Sequence, residues 1–177
     1  MPASPKRSRQ WHCYLVVYFQ VLALVCLSKP LHPGEDIPNK GYQKLEEKLR
    51  ITTDPIKKVK TLIKISDFHL HAAANMVKKE DLTEADRYLS HYRETIRRTQ
   101  EILNSSGRNA QKKPAGFKDF EIALKRQLRI LEDLRVLYPY EQAQKVNETI
   151  EQAKAAQEQM LVQIFGEENF RTRKETK

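Results

Sequence analysis

One pattern dominates the sequence after Pro55: apolar residues recur at steps of three and four. Steps of this kind place side chains on one face of an α-helix, and a second apolar row beside the first widens that face enough to be buried. Thr53 and Asp54 before Pro55 are typical of a helix start. The pattern therefore predicts a long buried helix from residue 55. Its main row consists of Ile56, Val59, Ile63, Ser66, Leu70, Ala73 and Val77, and its second row of Leu62, Ile65, His69, Ala72 and Met76.

After a short break at residues 78–81, apolar residues with the same spacing predict a second helix. Thr83, with Asp86 three residues later, has a capping-box pattern at its start. If the two helices fold back antiparallel, facing residue numbers have a constant sum, and Val59 with Leu103 gives 162, as do the other pairs. The two helices are therefore predicted to form a hairpin over residues 55–103. The apolar row of this second helix consists of Leu82, Ala85, Leu89, Tyr92, Ile96, Thr99 and Leu103.

The same spacing returns after a polar loop over residues 104–116 and predicts a second hairpin over residues 117–166. Five glycines in 177 residues are too few for a glycine-dependent nucleotide-binding fold. The predicted fold class is all-α, with two antiparallel helical hairpins that form a four-helix bundle over residues 55–166. An elongated solenoid fragment is the alternative. The two rows consist of Phe117, Phe120, Leu124, Gln127, Leu131, Leu134 and Tyr138, then Ala143, Val146, Ile150, Ala153, Gln157, Met160 and Ile164.

Residues 1–28 have the pattern of an export signal. Lys6, Arg7 and Arg9 precede an apolar run over residues 13–27. A basic start followed by a short apolar run is typical of a signal peptide, whereas a bilayer span needs about 20 apolar residues. The segment predicts a signal peptide or an uncleaved signal anchor, and hence a periplasmic or extracellular protein. A lipid anchor on Cys26 and a buried core helix are the remaining alternatives.

The segments that flank the predicted bundle carry weaker patterns. Residues 29–54 are expected to form a linker and a short helix of one or two turns, with Tyr42, Leu45 and Leu49 on one face. The polar tail over residues 167–177 is expected to be disordered. Both cysteines lie within residues 1–28, so a processed chain has neither a disulfide nor a thiolate ligand.

Residues 44–103 resemble a two-helix domain of unknown function that recurs in exported bacterial proteins. The segments TDPIKKVKTLIKISDFHLHAA and KKEDLTEADRYLSHYRETI carry the resemblance. In that family an Asp-Pro start leads into a lysine-rich helix, a Gly-Asp turn and a tyrosine in the second helix. Here Glu80 and Asp81 stand at the turn, and the arginine expected near Phe68 is missing. The resemblance implies an exported compartment and a helical hairpin.

The residue patterns of catalytic and metal sites are not found in the sequence. His71 is level with His91, but both are expected to point away from the apolar rows, and His69 and His71 diverge too far on a helix to bind one ion. Ser66 is expected to be a hydrogen-bonded core hydroxyl. The sequence lacks HExxH and paired Glu-x-x-His motifs. We therefore expect no catalytic residue, no cofactor and no metal ligand.

Basic residues are the remaining candidates for function. Antiparallel packing places the start of the first long helix near the end of the second, with Lys64 level with Arg98. The expected contact is with lipid head groups or an envelope polymer, and a merely solvated surface is the alternative. Nucleic acid is not expected because no aromatic residue stands among these cations. The candidate residues for contact with an anionic surface are Lys57, Lys60, Lys64, Arg97 and Arg98.

Together these patterns predict an exported, non-enzymatic structural or protein-interaction module of the bacterial envelope. Its expected partner is a protein or an anionic envelope component, with membrane contact only through an uncleaved signal. The alternative is a periplasmic chaperone-like or stress-sensing protein. That alternative requires exposed Phe117, Phe120 or Met160 to bind unfolded chains.

Overall fold

The computed structural model describes residues 40–169, which form helices and connecting loops without a strand. The predicted signal segment over residues 1–28 and the linker as far as residue 39 lie outside these residues. The all-α prediction is confirmed for the part of the chain described. The helices are α1 (Lys40–Ile51), α2 (Pro55–Lys78), α3 (Leu82–Ser105), α4 (Phe117–Leu137) and α5 (Gln144–Phe165), with a 3-10 turn at Tyr140–Gln142 before α5.

α2 begins where the sequence predicts, whereas the cap of α3 is Asp81, two residues before the predicted Thr83. The Lys57 backbone N–H donates to Asp54 Oδ1 at 2.7 Å, which caps α2. At the start of α3, the Glu84 N–H donates to Asp81 Oδ1 at 3.0 Å. The predicted Thr83 cap is therefore wrong. Thr83 already lies inside the helix, and the turn before it leaves Asp81 outside helical geometry.

The turn between α2 and α3 has the hydrogen bonds of a Schellman motif. The Glu80 N–H donates to the Val77 carbonyl at 2.9 Å, and the Asp81 N–H donates to the Met76 carbonyl at 3.0 Å. Glu80 has a φ of 62°, a conformation that glycine adopts more readily. This tight reversal lets α3 pack back along α2, as the predicted hairpin requires.

The two hairpins lie side by side with like helices adjacent: α2 contacts α4, and α3 contacts α5. Asp67 and Arg126 form an ion pair at 2.6 Å between α2 and α4, and they are 59 positions apart (126 − 67). Gln100 and Gln159 are joined at 2.6 Å between α3 and α5 and are also 59 apart (159 − 100). Lys60 with Asp119 (119 − 60) and Asn104 with Gln163 (163 − 104) give the same difference within each helix pair, so the adjacent like helices run parallel.

The row residues also repeat between the two hairpins, with a period of 61 residues. Val59 and Phe120 occupy equivalent row positions 61 residues apart (120 − 59), as do Ala85 and Val146 (146 − 85). All four row residues are buried. Burial of a valine or phenylalanine side chain contributes about 1.5–3 kcal/mol, so Val59, Phe120 and Val146 each add to the stability of this core.

A polar network occupies the centre of this core. The Tyr92 hydroxyl donates to Gln127 Oε1 at 3.1 Å. Gln127 Nε2 donates to Ser66 Oγ at 2.7 Å and to Asp67 Oδ1 at 2.8 Å. Burial, followed by the nearby Asp67 charge, raises the pKa of Tyr92. Because each buried polar group here has a partner, the network avoids the cost of an unpaired group in the core.

α1 is longer than the one or two turns predicted. Its 12 residues make just over three turns. Leu49 packs against Leu62 and Ile65, with Tyr42 and Leu45 at the edge of the same cluster. The helix covers the second apolar row of α2, which would otherwise face water, and this burial explains the additional turns.

The described chain ends with residues 167–169, which have helical backbone geometry after Gly166. The Asn169 side chain folds back on the end of α5, since its Nδ2 donates to the Phe165 carbonyl at 3.0 Å. The rest of the predicted tail lies outside the described residues.

Within residues 40–169, no helix is both long enough and apolar enough to cross a membrane.

Candidate functional site

Two of the five predicted basic residues are engaged in ion pairs. Lys60 Nζ lies 3.6 Å from Asp119 of α4. Arg97 pairs with Glu94 at 2.5 Å and also with Glu101. The Arg97 hydrogen bond lowers the pKa of Glu94. The Arg97 partners stand three and four positions away on the same helix, so the sequence alone could have shown them.

A third predicted residue, Arg98, faces α1. Together with Tyr42, Glu46 and Arg50 it lines a surface groove of about 400 Å³. Burial, followed by the hydrogen bond to Glu46, raises the pKa of Tyr42, and the Arg98 charge opposes that rise. The positive charge of Arg98 therefore acts on α1 as well as on solvent. Lys57 and Lys64 are exposed.

The strongest group of cations lies where α2 and α4 begin and α3 ends. We call this group the basic end. Within residues 40–169, none of its members has a carboxylate within ion-pair distance. Lysines in the first turn of a helix add to the positive end of the helix dipole, an arrangement that costs roughly 0.3–1 kcal/mol and offers helix stability no benefit. The basic end consists of Lys57, Lys58, Arg108, Lys112, Lys113 and Lys118.

The loop that carries half of the basic end is held in place by its own hydrogen bonds. Asn109 Oδ1 accepts from the backbone N–H groups of Gln111 and Lys112, both at 3.0 Å. Gly116, with a φ of 88°, closes the loop against α2, since a Cβ there would lie 2.6 Å from Ile56 Cδ1. Lys112 and Lys113 consequently project from an ordered loop, on which Arg108 is half-buried.

The loop cations form two neighbouring concavities. Arg108, Lys112 and Lys113 line one surface groove of about 390 Å³, together with Gly107 and Asn109. The other is a pocket of about 290 Å³ between the loop, the end of α3 and the last turns of α5. Arg108 and Asn109 line both. The five-residue prediction omitted these loop cations, although their polar loop was visible in the sequence.

The opposite end of the hairpins exposes apolar side chains instead. Tyr140 is 97% exposed, Val136 79% and Leu137 54%. The adjacent Tyr138 is buried, and its hydroxyl donates to Asp86 Oδ1 at 3.1 Å. This apolar corner spans the end of α4 and the 3-10 turn. Helical spacing did not indicate it because Val136 and Leu137 lie off the row and Tyr140 follows its end.

The histidine arrangement differs from the one predicted. His69, rather than His71, stacks on His91, with ring centroids 5.4 Å apart. His69 is 2% exposed, and its Nδ1 has no hydrogen-bond partner. Burial, followed by the His91 charge, lowers the pKa of His69 to about 4, so the ring is neutral at pH 7. His71 and His91 are both exposed, as their positions beside the rows indicate, whereas α1 closes over the second row of α2 and encloses His69.

Within the described residues, no group of three or more His, Cys, Asp or Glu side chains is close enough to hold a metal ion. Ser66 is buried, and its hydroxyl donates to the Ile63 carbonyl at 2.9 Å while accepting from Gln127. The expectation that Ser66 is a core hydroxyl is confirmed.

The side chains required by the chaperone-like alternative are not available to a client. Phe117, Phe120 and Met160 are all buried in the hairpin core. The expectation that one of them is exposed is therefore wrong. Each occupies a row position, and row positions face the adjacent helices.

Comparison of the chain with models of known families, with curated proteins and with solved structures gives no match. The resemblance of residues 44–103 to exported two-helix domains stays a prediction.

Proposed function

We propose that this protein is an exported, non-enzymatic interaction module of the cell envelope, and that its basic end binds an anionic polymer there. The observation that carries the proposal is the basic end itself, whose six cations lack carboxylate partners among residues 40–169. Unpaired cations at the start of a helix destabilise that helix when no partner is bound. An anionic partner would neutralise these charges and offset that destabilisation.

We further propose that α2–α5 form a closed four-helix bundle, which serves as a rigid support for the basic end. The hydrogen bond from Tyr92 to Gln127 supports this arrangement because it joins α3 to α4 through the buried centre. An open solenoid would leave the face between these helices to solvent. Export is supported only by the sequence pattern over residues 1–28.

Binding to a polymer of acidic sugars tests the proposed function. A quadruple variant, Lys57→Gln, Lys58→Gln, Lys112→Gln and Lys113→Gln, removes four charges from the basic end. A lysine near an anionic surface contributes about 1 kcal/mol, so we expect the dissociation constant for alginate to rise at least tenfold. The measurement is sedimentation of the full chain with alginate at two salt concentrations.

The matched control removes the same charge from other surfaces. Lys40→Gln, Lys44→Gln, Lys78→Gln and Lys79→Gln should change alginate affinity by less than about threefold, since these lysines lie in the first half of α1 and at the opposite end. Equal weakening by both variants would mean that only net charge matters. Stronger binding to anionic phospholipid vesicles than to alginate would replace the polymer with a membrane surface.

A further inference from the structure

The cover that α1 forms over the first hairpin is held by few side chains. Leu49 is the only buried residue of α1, and Tyr42 and Leu45 are partly buried at the edge of the same cluster. A helix of about 12 residues is marginal in water unless it packs against other elements. Closure of α1 therefore depends on this small apolar cluster.

α1 can leave the hairpin without loss of the helix that follows it. The Lys57 backbone N–H donates to Asp54 Oδ1 at 2.7 Å, so the cap of α2 comes from a residue outside α1. Residues 52–54 between the two helices are not helical. They provide a hinge about which α1 can move while α2 keeps its first turn.

His69 lies beneath α1 in a group of aromatic rings. Tyr42 of α1 lies over it with ring centroids 5.4 Å apart, and His91 of α3 stacks on it at the same distance. The rings of Phe68 and Tyr88 lie 5.7 Å and 6.2 Å away. Side chains of three helices therefore enclose His69, and one of those helices is α1.

This enclosure has no group that would stabilise a protonated His69. His69 Nδ1 is buried without a hydrogen-bond partner. The neighbouring carboxylates are already engaged: Glu46 accepts from the Tyr42 hydroxyl at 2.9 Å, and Glu84 pairs with Arg87. A proton on Nδ1 would create a buried, unpaired charge beside a second imidazole, so closed α1 disfavours the charged ring. The titratable and charged groups around these rings are Tyr42 and Glu46 on α1, and Glu84, Arg87, Tyr88, His91 and Arg98 on α3.

The position of α1 is consequently coupled to pH. Burial, followed by the His91 charge, lowers the pKa of His69 from 6.5 to about 4. With α1 released, water reaches the ring and its pKa returns towards 6.5. The closed state is thus fully favoured above pH 6.5 and loses that advantage as pH falls towards 4. Between pH 7 and pH 5, release of α1 becomes about twentyfold more favourable.

We propose that α1 is an acid-released cover: His69 takes up a proton, α1 swings away about residues 52–54, and α2–α5 stay folded. Release exposes Leu62 and Ile65, which are buried beneath closed α1. In acid the first hairpin therefore presents an apolar face that is covered at neutral pH. The inference does not depend on the proposed function, because it concerns a different part of the molecule.

Hydrogen exchange of the full chain at pH 7 and pH 5, followed by mass spectrometry, tests the cover. After correction for the intrinsic pH dependence of exchange, protection of the α1 amides should fall about twentyfold. Amides at the centre of α3 should stay at least about 100-fold more protected than those of α1 at both pH values. Equal protection of α1 and α3 would mean that the whole molecule opens together. That result would overturn the proposal, and so would unchanged protection of α1.

Histidine variants assign the response to one ring. His69→Ile removes the proton acceptor and should hold the loss of α1 protection below about twofold, and His69→Phe is a second variant with the same expectation. His71→Gln changes an exposed histidine of the same helix and should keep the full loss. His91→Gln should keep a loss of at least about fivefold, since His69 is still buried. A wild-type response in both His69 variants would contradict the assignment, as would loss of the response in His91→Gln alone.

Leu49→Ala should release the same helix without acid. Because Leu49 is the buried anchor of α1, its truncation should lower α1 protection at pH 7 at least about tenfold, with α3 protection changed less than about threefold. Lys48→Gln, at the exposed neighbouring position, is the matched control and should leave both unchanged. Circular dichroism checks that α2–α5 keep their helical signal. An equal loss of protection in α1 and α3 of Leu49→Ala would make α1 part of the cooperative core and overturn the proposal.

Discussion

The first hairpin, α2 with α3, and the second, α4 with α5, share one spacing of row residues but differ in what lies outside the row. In the first hairpin α1 covers the outer face, and His69 lies beneath it. The equivalent residue in the second hairpin is Ile130, 61 positions later (130 − 69). The spacing of the row residues thus determines which helices pair. The residues beside the row determine whether a further helix, such as α1, can pack on the outer face of a hairpin.

The two hairpins also exchange large and small residues at equivalent positions. Tyr92 corresponds to Ala153, and Ala73 corresponds to Leu134, each 61 residues apart (153 − 92 and 134 − 73). All four are buried. Adjacent equivalent positions that differ in size can interdigitate without leaving a cavity, so the repeat is preserved in position while its side chains diverge.

The largest expected effect is on the free energy of unfolding, in two core variants that test whether the hairpins unfold together. Leu70→Ala and Leu131→Ala remove equivalent, fully buried side chains. Each should lower the free energy of unfolding by about 2–5 kcal/mol through lost burial and a residual cavity. Urea denaturation followed by circular dichroism should show one transition in both variants.

Val136→Ala is the control for that pair, since Val136 is exposed and its loss should change stability by less than about 0.5 kcal/mol. A second transition that appears only in Leu131→Ala would mean that the two hairpins fold independently.

The next effect concerns the covered histidine of the first hairpin. Because the folded pKa of His69 is lowered to about 4 while the unfolded value is 6.5, the unfolded chain binds the extra proton first. The stability held by neutral His69 is complete above pH 6.5 and is lost as pH falls towards 4. The loss should approach about 3 kcal/mol at most.

His69→Ile makes this position like Ile130 and should remove that part of the pH dependence, measured as urea unfolding free energy between pH 7 and pH 4.5. His71→Gln changes an exposed histidine and should leave the pH dependence as it is. An unchanged slope in His69→Ile would assign the acid sensitivity to other groups, of which His91 stacks directly on the His69 ring.

A smaller effect distinguishes the two hairpin turns. Glu80 has a φ of 62° in the first turn, whereas the second turn contains Pro139 and no residue with positive φ. Glu80→Gly should raise the free energy of unfolding by about 0.5–1 kcal/mol, since glycine adopts this conformation without strain.

Thermal melting measures the change, and Glu80→Ala is its matched control. Alanine removes the same charge but keeps a Cβ, so it should give no comparable gain. An equal gain in both variants would trace the effect to charge instead of backbone conformation.

The smallest effect tests the contact between the hairpins at the surface. Lys60 and Asp119 lie 3.6 Å apart, and both side chains are largely exposed. A double-mutant cycle with Lys60→Gln and Asp119→Asn should give a coupling energy of about 0.2–0.5 kcal/mol, reduced at high salt. A coupling well above 1 kcal/mol would indicate that this pair helps set the register of the two hairpins.

Local patterns alone predicted a large part of the fold. The rows placed α2–α5, Asp54 placed the first cap, and Ser66 was identified as a core hydroxyl. These features depend on residues within one or two helical turns of each other. The start of α3 was misplaced because Thr83 and Asp81 offer similar side chains, and only the Glu80 turn selects between them.

The candidate site was predicted less well. Arg97 is paired with acids that the sequence shows nearby, whereas Arg98 and His69 depend on where α1 docks. The pocket of Arg108 and Gln163 joins residues 55 positions apart (163 − 108), and no local spacing relates them.

The sequence by itself determined the helices, their apolar faces and the two reversals, because backbone hydrogen bonding and side-chain period act over a few residues. The tertiary structure decided that like helices lie parallel, that α1 encloses His69, and that Arg108 and Gln163 line the same pocket. Those outcomes depend on apolar surfaces that are far apart in the sequence and exclude water only when they pack against each other. The free energy of that burial therefore arises in the assembled core and cannot be assigned to one segment.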